Sequence, residues 1–220
     1  MQLVPKKVIS IWLKKIALYI FMIIIYIEKK EKEYFLYSIE IPQSMPDKVK
    51  AMFFEESVLT ENSTAAQEFY NQSRYGELKK DGRLSLSIIE AYFLIEKGKL
   101  DIYDSRNRII TEDQFLKKAR KKQPTFNTKY AVFRDLRDRG YIVKTALKFG
   151  ADFRVYDRGV KPGDDHARWV VFPVHESAAL TWHEFSAKNR VAHSTKKRLL
   201  LGVVDDEGDV SYWETRWIRP

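Results

Sequence analysis

Three residues in the last third of the chain, Tyr156, His166 and Lys197, have the side-chain types that cutting an RNA strand without a metal would require. Attack of a ribose 2′-hydroxyl on its neighbouring phosphate needs a proton acceptor, a proton donor for the departing 5′ oxygen, and a cation beside the phosphorane oxygens. Histidine titrates near neutrality, and lysine carries a compact positive charge at physiological pH. Tyrosine is the difficult member. An ordinary phenol titrates at about 10, so roughly one in a thousand is ionised at pH 7, and forming phenolate first costs about 4 kcal/mol. Taken singly, each of these residue types near a strand is more often a packing, capping or solvated residue than a reactive one. His175, His183 and His193 take those ordinary readings: one follows a strand, one sits beside Glu184 on a helix, and one meets that helix's C-terminal dipole. Asp164 and Asp165, in the Pro162-Gly163 turn, read as solvated acids rather than a metal pair.

The elements that must position these residues are legible from period and turn chemistry. Branched and aromatic residues mark strands at Tyr141–Val143, Phe153–Tyr156, Trp169–Val174, Leu199–Val204 and Val210–Trp213, with a helix at Thr181–Ala192. A preceding helix, Asn127–Arg139, aligns Tyr130, Phe133 and Leu136 on one face and stops at Gly140. Asp205-Asp206-Glu207-Gly208-Asp209 supplies turn chemistry for a final hairpin. Earlier in the chain, helices are expected at Thr64–Ser73, at Leu86–Lys97 with Leu86, Ile89, Tyr92, Phe93 and Leu94 as a core stripe, and at Glu112–Lys121 behind a Thr111/Gln114 capping box. The basic run Lys117–Lys122 then leads to Pro124, where a domain boundary is expected. The fold class is mixed α/β (α+β): 45–122 as a small N-terminal α/β domain, 123–220 as a C-terminal domain, and 1–44 as an appended apolar and charged segment outside the core fold.

The wording around the three residues narrows the function. The stretches FGADFRVYDRG, KPGDDHARWVV and NRVAHSTKKRLLLGVVDDEGD resemble the catalytic domain of the archaeal tRNA-splicing endonuclease family over nearly all of Phe126–Tyr212. The RYGEL and LSLSIIEAYFLIEKGK stretches extend the resemblance more loosely. Spacings of 10 residues from Tyr156 to His166 and 31 from His166 to Lys197 suit that family. The resemblance implies a C-terminal nuclease domain with a mixed, helix-flanked sheet of restriction-endonuclease type, and cleavage of bulge-helix-bulge precursor tRNA to 2′,3′-cyclic phosphate and 5′-hydroxyl ends. It also implies Tyr156 as general base, His166 as general acid and Lys197 as the charge stabiliser, with no metal and no cofactor. Adjacent strand residues face opposite ways, so only one of Lys196 and Lys197 can face the phosphate, and the resemblance, which places the lysine just before the residue leading into the Leu-Leu-Leu run, implies Lys197. Arg190 matches an arginine that holds a bulged base, with Tyr212 or Trp213 as the opposing plane. The acidic turn, Asp205, Asp206, Glu207 and Asp209, matches a loop that plugs a neighbouring dimer, and a single triad in a core of this length suggests a homotetramer.

Composition bounds the alternatives. The chain has 220 residues, 45% of them hydrophobic, no cysteine, and a net charge of +9. Disulfides, thiolate metal sites and cysteine nucleophiles are excluded, a cytoplasmic setting is expected, and polyanions are the natural partners. Ile16–Ile27 is an unbroken apolar run of 12 residues, about 18 Å as a helix, against a hydrocarbon core of roughly 30 Å. It reads as an appended helix, a membrane-surface anchor or a packed helix, with a complete span unexpected. A non-catalytic RNA-binding or scaffolding subunit remains the alternative function.

Overall fold

Polar caps punctuate the first half of the chain, and each starts a helix by giving an unpaired backbone N–H an acceptor. The structure, a computed structural model, describes residues 48–146 and 150–218. The appended segment 1–44, with its apolar run, lies outside the described residues. Among those described, no helix is long and apolar enough to cross a membrane.

Strands β1 (Val49–Phe53) and β2 (Ser57–Thr60) form a hairpin, followed by helix α1 (Thr64–Ser73), whose Ser63 cap accepts from the Ala66 N–H. Next come β3 (Glu77–Leu78), β4 (Leu84–Ser87), α2 (Ile88–Glu96), β5 (Leu100–Tyr103), β6 (Ile109–Ile110) and α3 (Glu112–Lys122). The capping box expected at Thr111/Gln114 is present. The helix expected from Leu86 starts later. Leu86 pairs with Val58 in the sheet, and a second capping box, Ser87 with Glu90, sets the helix start at Ile88. The six strands order as β3-β4-β2-β1-β5-β6, with β1 and β5 parallel and the remaining neighbours antiparallel.

Beyond Pro124 lie α4 (Phe126–Asp138), β7 (Ile142–Thr145), β8 (Phe153–Tyr156), β9 (Trp169–His175), α5 (Trp182–Ser194), β10 (Arg198–Val204) and β11 (Val210–Thr215). They build a mixed five-stranded sheet, β11-β10-β9-β8-β7, in which only β9 and β10 run parallel. Alternation along the strands separates its two faces. Phe153, Val155 and Val171 pack with Val132 and Phe133 of α4, whereas Val170, Phe172 and Leu199 pack with Ala192 and Phe185 of α5. Helix α4 lies so close to β10 that a Cβ on Gly202 would stand 2.8 Å from a Val132 methyl. Glycine is required there by space.

One apolar cluster, from Val49 through Phe93, Phe115, Phe126 and Phe133 to Val204, runs under both sheets. From Lys48 onward the chain is a single compact unit. A polar seam accompanies that cluster. Glu90, 4% exposed, accepts from the Gly76 N–H at 2.9 Å, the Ser87 hydroxyl at 2.7 Å and the Lys144 ammonium at 3.5 Å. Lys144 of β7 also donates to the carbonyls of Arg74 and Gly76. Arg137 of α4 donates to the Ser73 and Val143 carbonyls and lies 4.1 Å from the Tyr75 ring centre. The Arg74–Leu78 stretch is therefore the joint through which the first sheet meets the second. Gly76 has φ +57° there, and a Cβ would fall 2.4 Å from the Ser85 carbonyl oxygen.

Candidate active site

Strand register places Tyr156, His166 and Lys197 at one end of the second sheet. Val155 of β8 and Arg198 of β10 both align with Trp169 of β9. Tyr156 is one residue past that level, His166 three residues before it in the β8–β9 connection, and Lys197 one residue before it. Arg168 stitches the three ends together, donating its N–H to the Val155 carbonyl at 2.9 Å and accepting from the Arg198 N–H at 3.0 Å. Three adjacent strands span about 10 Å, a width suited to one ribose-phosphate unit.

Each residue is held differently. Tyr156 is 4% exposed and shares its sheet face with Arg154, the face that α5 covers. Its aromatic body is fixed by packing. His166 is exposed on a turn-rich loop that is anchored by buried Ala167, and its N–H is taken by Asp165 Oδ1 at 2.6 Å. Asp165 is thus engaged in shaping the turn. Lys197 is half-buried, donates to the Thr195 carbonyl at 2.9 Å, and lines a cleft of about 200 Å³ with Asn189 and His193 of α5 and Arg216 and Trp217 beyond β11. Burial, with the nearby charge of Arg154, pulls the Lys197 ammonium below the usual lysine range. The Arg154 guanidinium also lies 5.9 Å from the Tyr156 ring centre. Arg154 escaped the sequence reading, although a step of two back along the strand from Tyr156 points to it.

The choice between the two lysines has a different physical basis from the one expected. Neither lies on a strand; they follow α5. Lys196 adopts φ +54° and donates to the His193 carbonyl, while the Lys197 N–H reaches the Ala192 carbonyl at 2.8 Å. This is a Schellman closure with Lys196 in the left-handed position that glycine favours. Lys196 stops the helix and stays exposed; Lys197 turns inward. Lys196→Gly is expected to raise stability by about 0.5–1 kcal/mol, because relief of left-handed strain exceeds glycine's extra unfolded-state entropy. Thermal melting checks it.

The residues expected around a bulged base are divided by the sheet. Arg190 is exposed on α5 and lines a groove of about 690 Å³ with Phe185, Asn189, His193, Arg216 and Trp217. Tyr212 faces the other way, donating its hydroxyl to Asp135 of α4 at 2.8 Å. Burial and that carboxylate hold its phenol above the ordinary range. Tyr212 therefore does not oppose Arg190. Trp213 alternates onto the α5 face and is 64% exposed. Trp217 shares the Arg190 groove with Phe185 and packs edge-on against His193 with centroids 4.5 Å apart. It lies past the last strand, where pattern reading stops.

The acidic turn closes the β10–β11 hairpin at the end of the sheet remote from Lys197. Asp205 Oδ1 accepts from the Asp209 N–H at 2.8 Å, and Asp206, Glu207 and Asp209 face solvent.

Residues 126–212 match the family model described as tRNA intron endonuclease, catalytic C-terminal domain, and residues 49–116 match its N-terminal domain. The tRNA-splicing endonuclease of Thermococcus onnurineus is 38% identical over 175 residues, 80% of this chain and 99% of the relative. The chain belongs to the tRNA intron endonuclease family. Further tRNA-splicing endonucleases agree: that of Nanoarchaeum equitans is 44% identical over 61% of this chain and 90% of its own length. That of Methanothermobacter thermautotrophicus is 39% identical over 79% and 99% respectively. Between the two matches lie residues 117–125, which hold the basic end of α3 and Pro124. In this family member the N-terminal match covers the first sheet and α2, and the catalytic match covers the whole strand-end cluster.

Proposed function

We propose that this family member cleaves precursor tRNA at bulge-helix-bulge intron junctions, without a metal, leaving 2′,3′-cyclic phosphate and 5′-hydroxyl ends. The observation that supports this reading is that Tyr156, His166 and Lys197 lie at the same end of three neighbouring strands. Tyr156 accepts or orients the 2′-hydroxyl proton, His166 on its exposed loop protonates the 5′ oxygen, and the Lys197 ammonium offsets charge on the phosphorane. Acid and base effects of about 10²–10⁴ each, with a few kcal/mol from the cation, total on the order of 10 kcal/mol. Arg190 stacks on the extruded base, with Trp217 in the same groove and Trp213 on the same sheet face as aromatic planes. Incubating the purified chain with a bulge-helix-bulge RNA in EDTA tests the whole reading. Excision with cyclic phosphate ends is expected; no cleavage by the chain alone, or cleavage only on adding Mg²⁺, overturns it.

The proposed assembly is a homotetramer, because two cut sites require two correctly spaced triads and this chain holds one. The exposed acids of the β10–β11 tip are the plug. Reversing Asp206, Glu207 and Asp209 to lysine is expected to halve the mass measured by light scattering, and an unchanged mass rejects the plug.

A further inference from the structure

Each strand end that carries a triad residue also carries an arginine one or two residues away: Arg158 after Tyr156, Arg168 after His166, Arg198 after Lys197. Together with Arg216 they form a continuous layer over two aromatic rings. The Arg158 guanidinium lies 4.9 Å from the Tyr141 ring centre, Tyr141 meets Trp169 edge-on at 6.0 Å, and Arg168 covers Trp169 at 4.5 Å. The Trp169 indole donates to Glu214 Oε2 at 2.8 Å, while Glu214 Oε1 accepts from Arg198 at 3.1 Å and Arg216 at 3.0 Å. Trp169 packs with the α4 cluster, so Arg158 and Arg168 lie on the opposite side of the sheet from Arg190, while Arg216, which also lines the Arg190 groove, marks the edge of the layer.

Its charge is unbalanced. Asp157 takes Arg168 and Glu214 is shared by Arg198 and Arg216, while Arg158 meets no carboxylate at ion-pair distance among the described residues. Two carboxylates face four guanidinium groups. Exposed pairs contribute only about 0–1 kcal/mol each, so folding stability gives little reason to gather these arginines. Rings and shared carboxylates hold the guanidinium planes in place, which lowers the entropy lost when they bind a partner. The partner such a layer fits is a row of phosphates.

We propose that this arginine–aromatic layer is a second RNA-binding surface, gripping the phosphodiester backbone that flanks the cleaved bond. The proposal rests on the endonuclease reading but concerns backbone contact alone. It is tested with the full chain by measuring the dissociation constant against salt concentration for two RNAs: a bulge-helix-bulge precursor with 2′-deoxy cut sites, and an unrelated duplex of equal length. The double variant Arg158→Ala/Arg168→Ala is expected to bind both RNAs more weakly by the same factor. Its log–log salt slope should be shallower by about two, one per lost phosphate contact. Arg158→Lys in the Arg168→Ala background should recover about one unit of slope. Arg106→Ala/Lys80→Ala, which removes the same charge from turns of the first sheet, should alter neither quantity. An unchanged slope in the first variant, an equal change in the control, or an altered mass in solution overturns the proposal. Wild-type protein that binds neither RNA overturns both readings. Wild-type protein that binds the duplex without cutting a normal precursor overturns the endonuclease reading, and the slopes still decide the layer.

Discussion

His166→Ala is expected to lower the single-turnover cleavage rate of a normal precursor by about 10²–10⁴ while leaving the melting temperature nearly unchanged. In the proposed mechanism His166, on the exposed β8–β9 loop, protonates the 5′ oxygen so that it leaves as an alcohol rather than as an alkoxide. Because the side chain is exposed, its removal leaves no cavity and no buried partner. The decisive measurement uses a substrate with sulfur at the 5′ position. A thiol ordinarily ionises near 8.5, far below an alcohol, so its thiolate leaves without a proton donor. The modified substrate should restore the rate of His166→Ala and should not restore Tyr156→Phe, whose lost hydroxyl is proposed to act on the 2′ side of the phosphate. Equal rescue of both variants would sink the assignment of His166 as the acid.

Glu90→Ala is expected to cost about 3–5 kcal/mol, the range for removing one partner of a buried ion pair. It strands the Lys144 ammonium, which is only 12% exposed, together with the Gly76 N–H and the Ser87 hydroxyl. Denaturant unfolding measures the loss, and Glu90→Gln, which keeps the shape and some of the hydrogen bonds, should lose less. The pH dependence has a definite sign. Burial alone would raise the Glu90 carboxyl, but Lys144 and the donors of Gly76 and Ser87 outweigh it and hold the group below its ordinary value. A carboxyl depressed on folding contributes stability above its unfolded pKa, about 4.3, and loses it as pH falls through the lower folded value. The stability gap between wild type and Glu90→Gln should therefore be full at neutral pH and close below about pH 4. A gap constant down to pH 3 would show that the charge is irrelevant to the seam.

Local chemistry was readable wherever it was decided by near neighbours. Thr111 with Gln114 starts α3, and β8 and the β10–β11 hairpin follow from branched residues and an Asp/Gly turn; these need only period and capping. The Tyr156, His166 and Lys197 spacing, through a family resemblance, pointed to one reaction. Residues whose roles depend on what lies across the fold were not readable. Glu90 stands beside the apolar stripe of α2, and nothing near it in the chain announces the Lys144 ammonium that reaches it from 54 residues away. Tyr212 reads as a stacking partner until Asp135 claims its hydroxyl on the far face of the sheet. Lys196 and Lys197 look alike until the backbone turns left-handed between helix and strand. By itself the sequence determined most of the elements and the family, and nominated the candidate reactive side chains, because those rest on residue type and spacing along the chain. Only the tertiary structure decided which faces meet, because sheet register and long-range pairing assign each side chain to a side, and no local pattern encodes that choice.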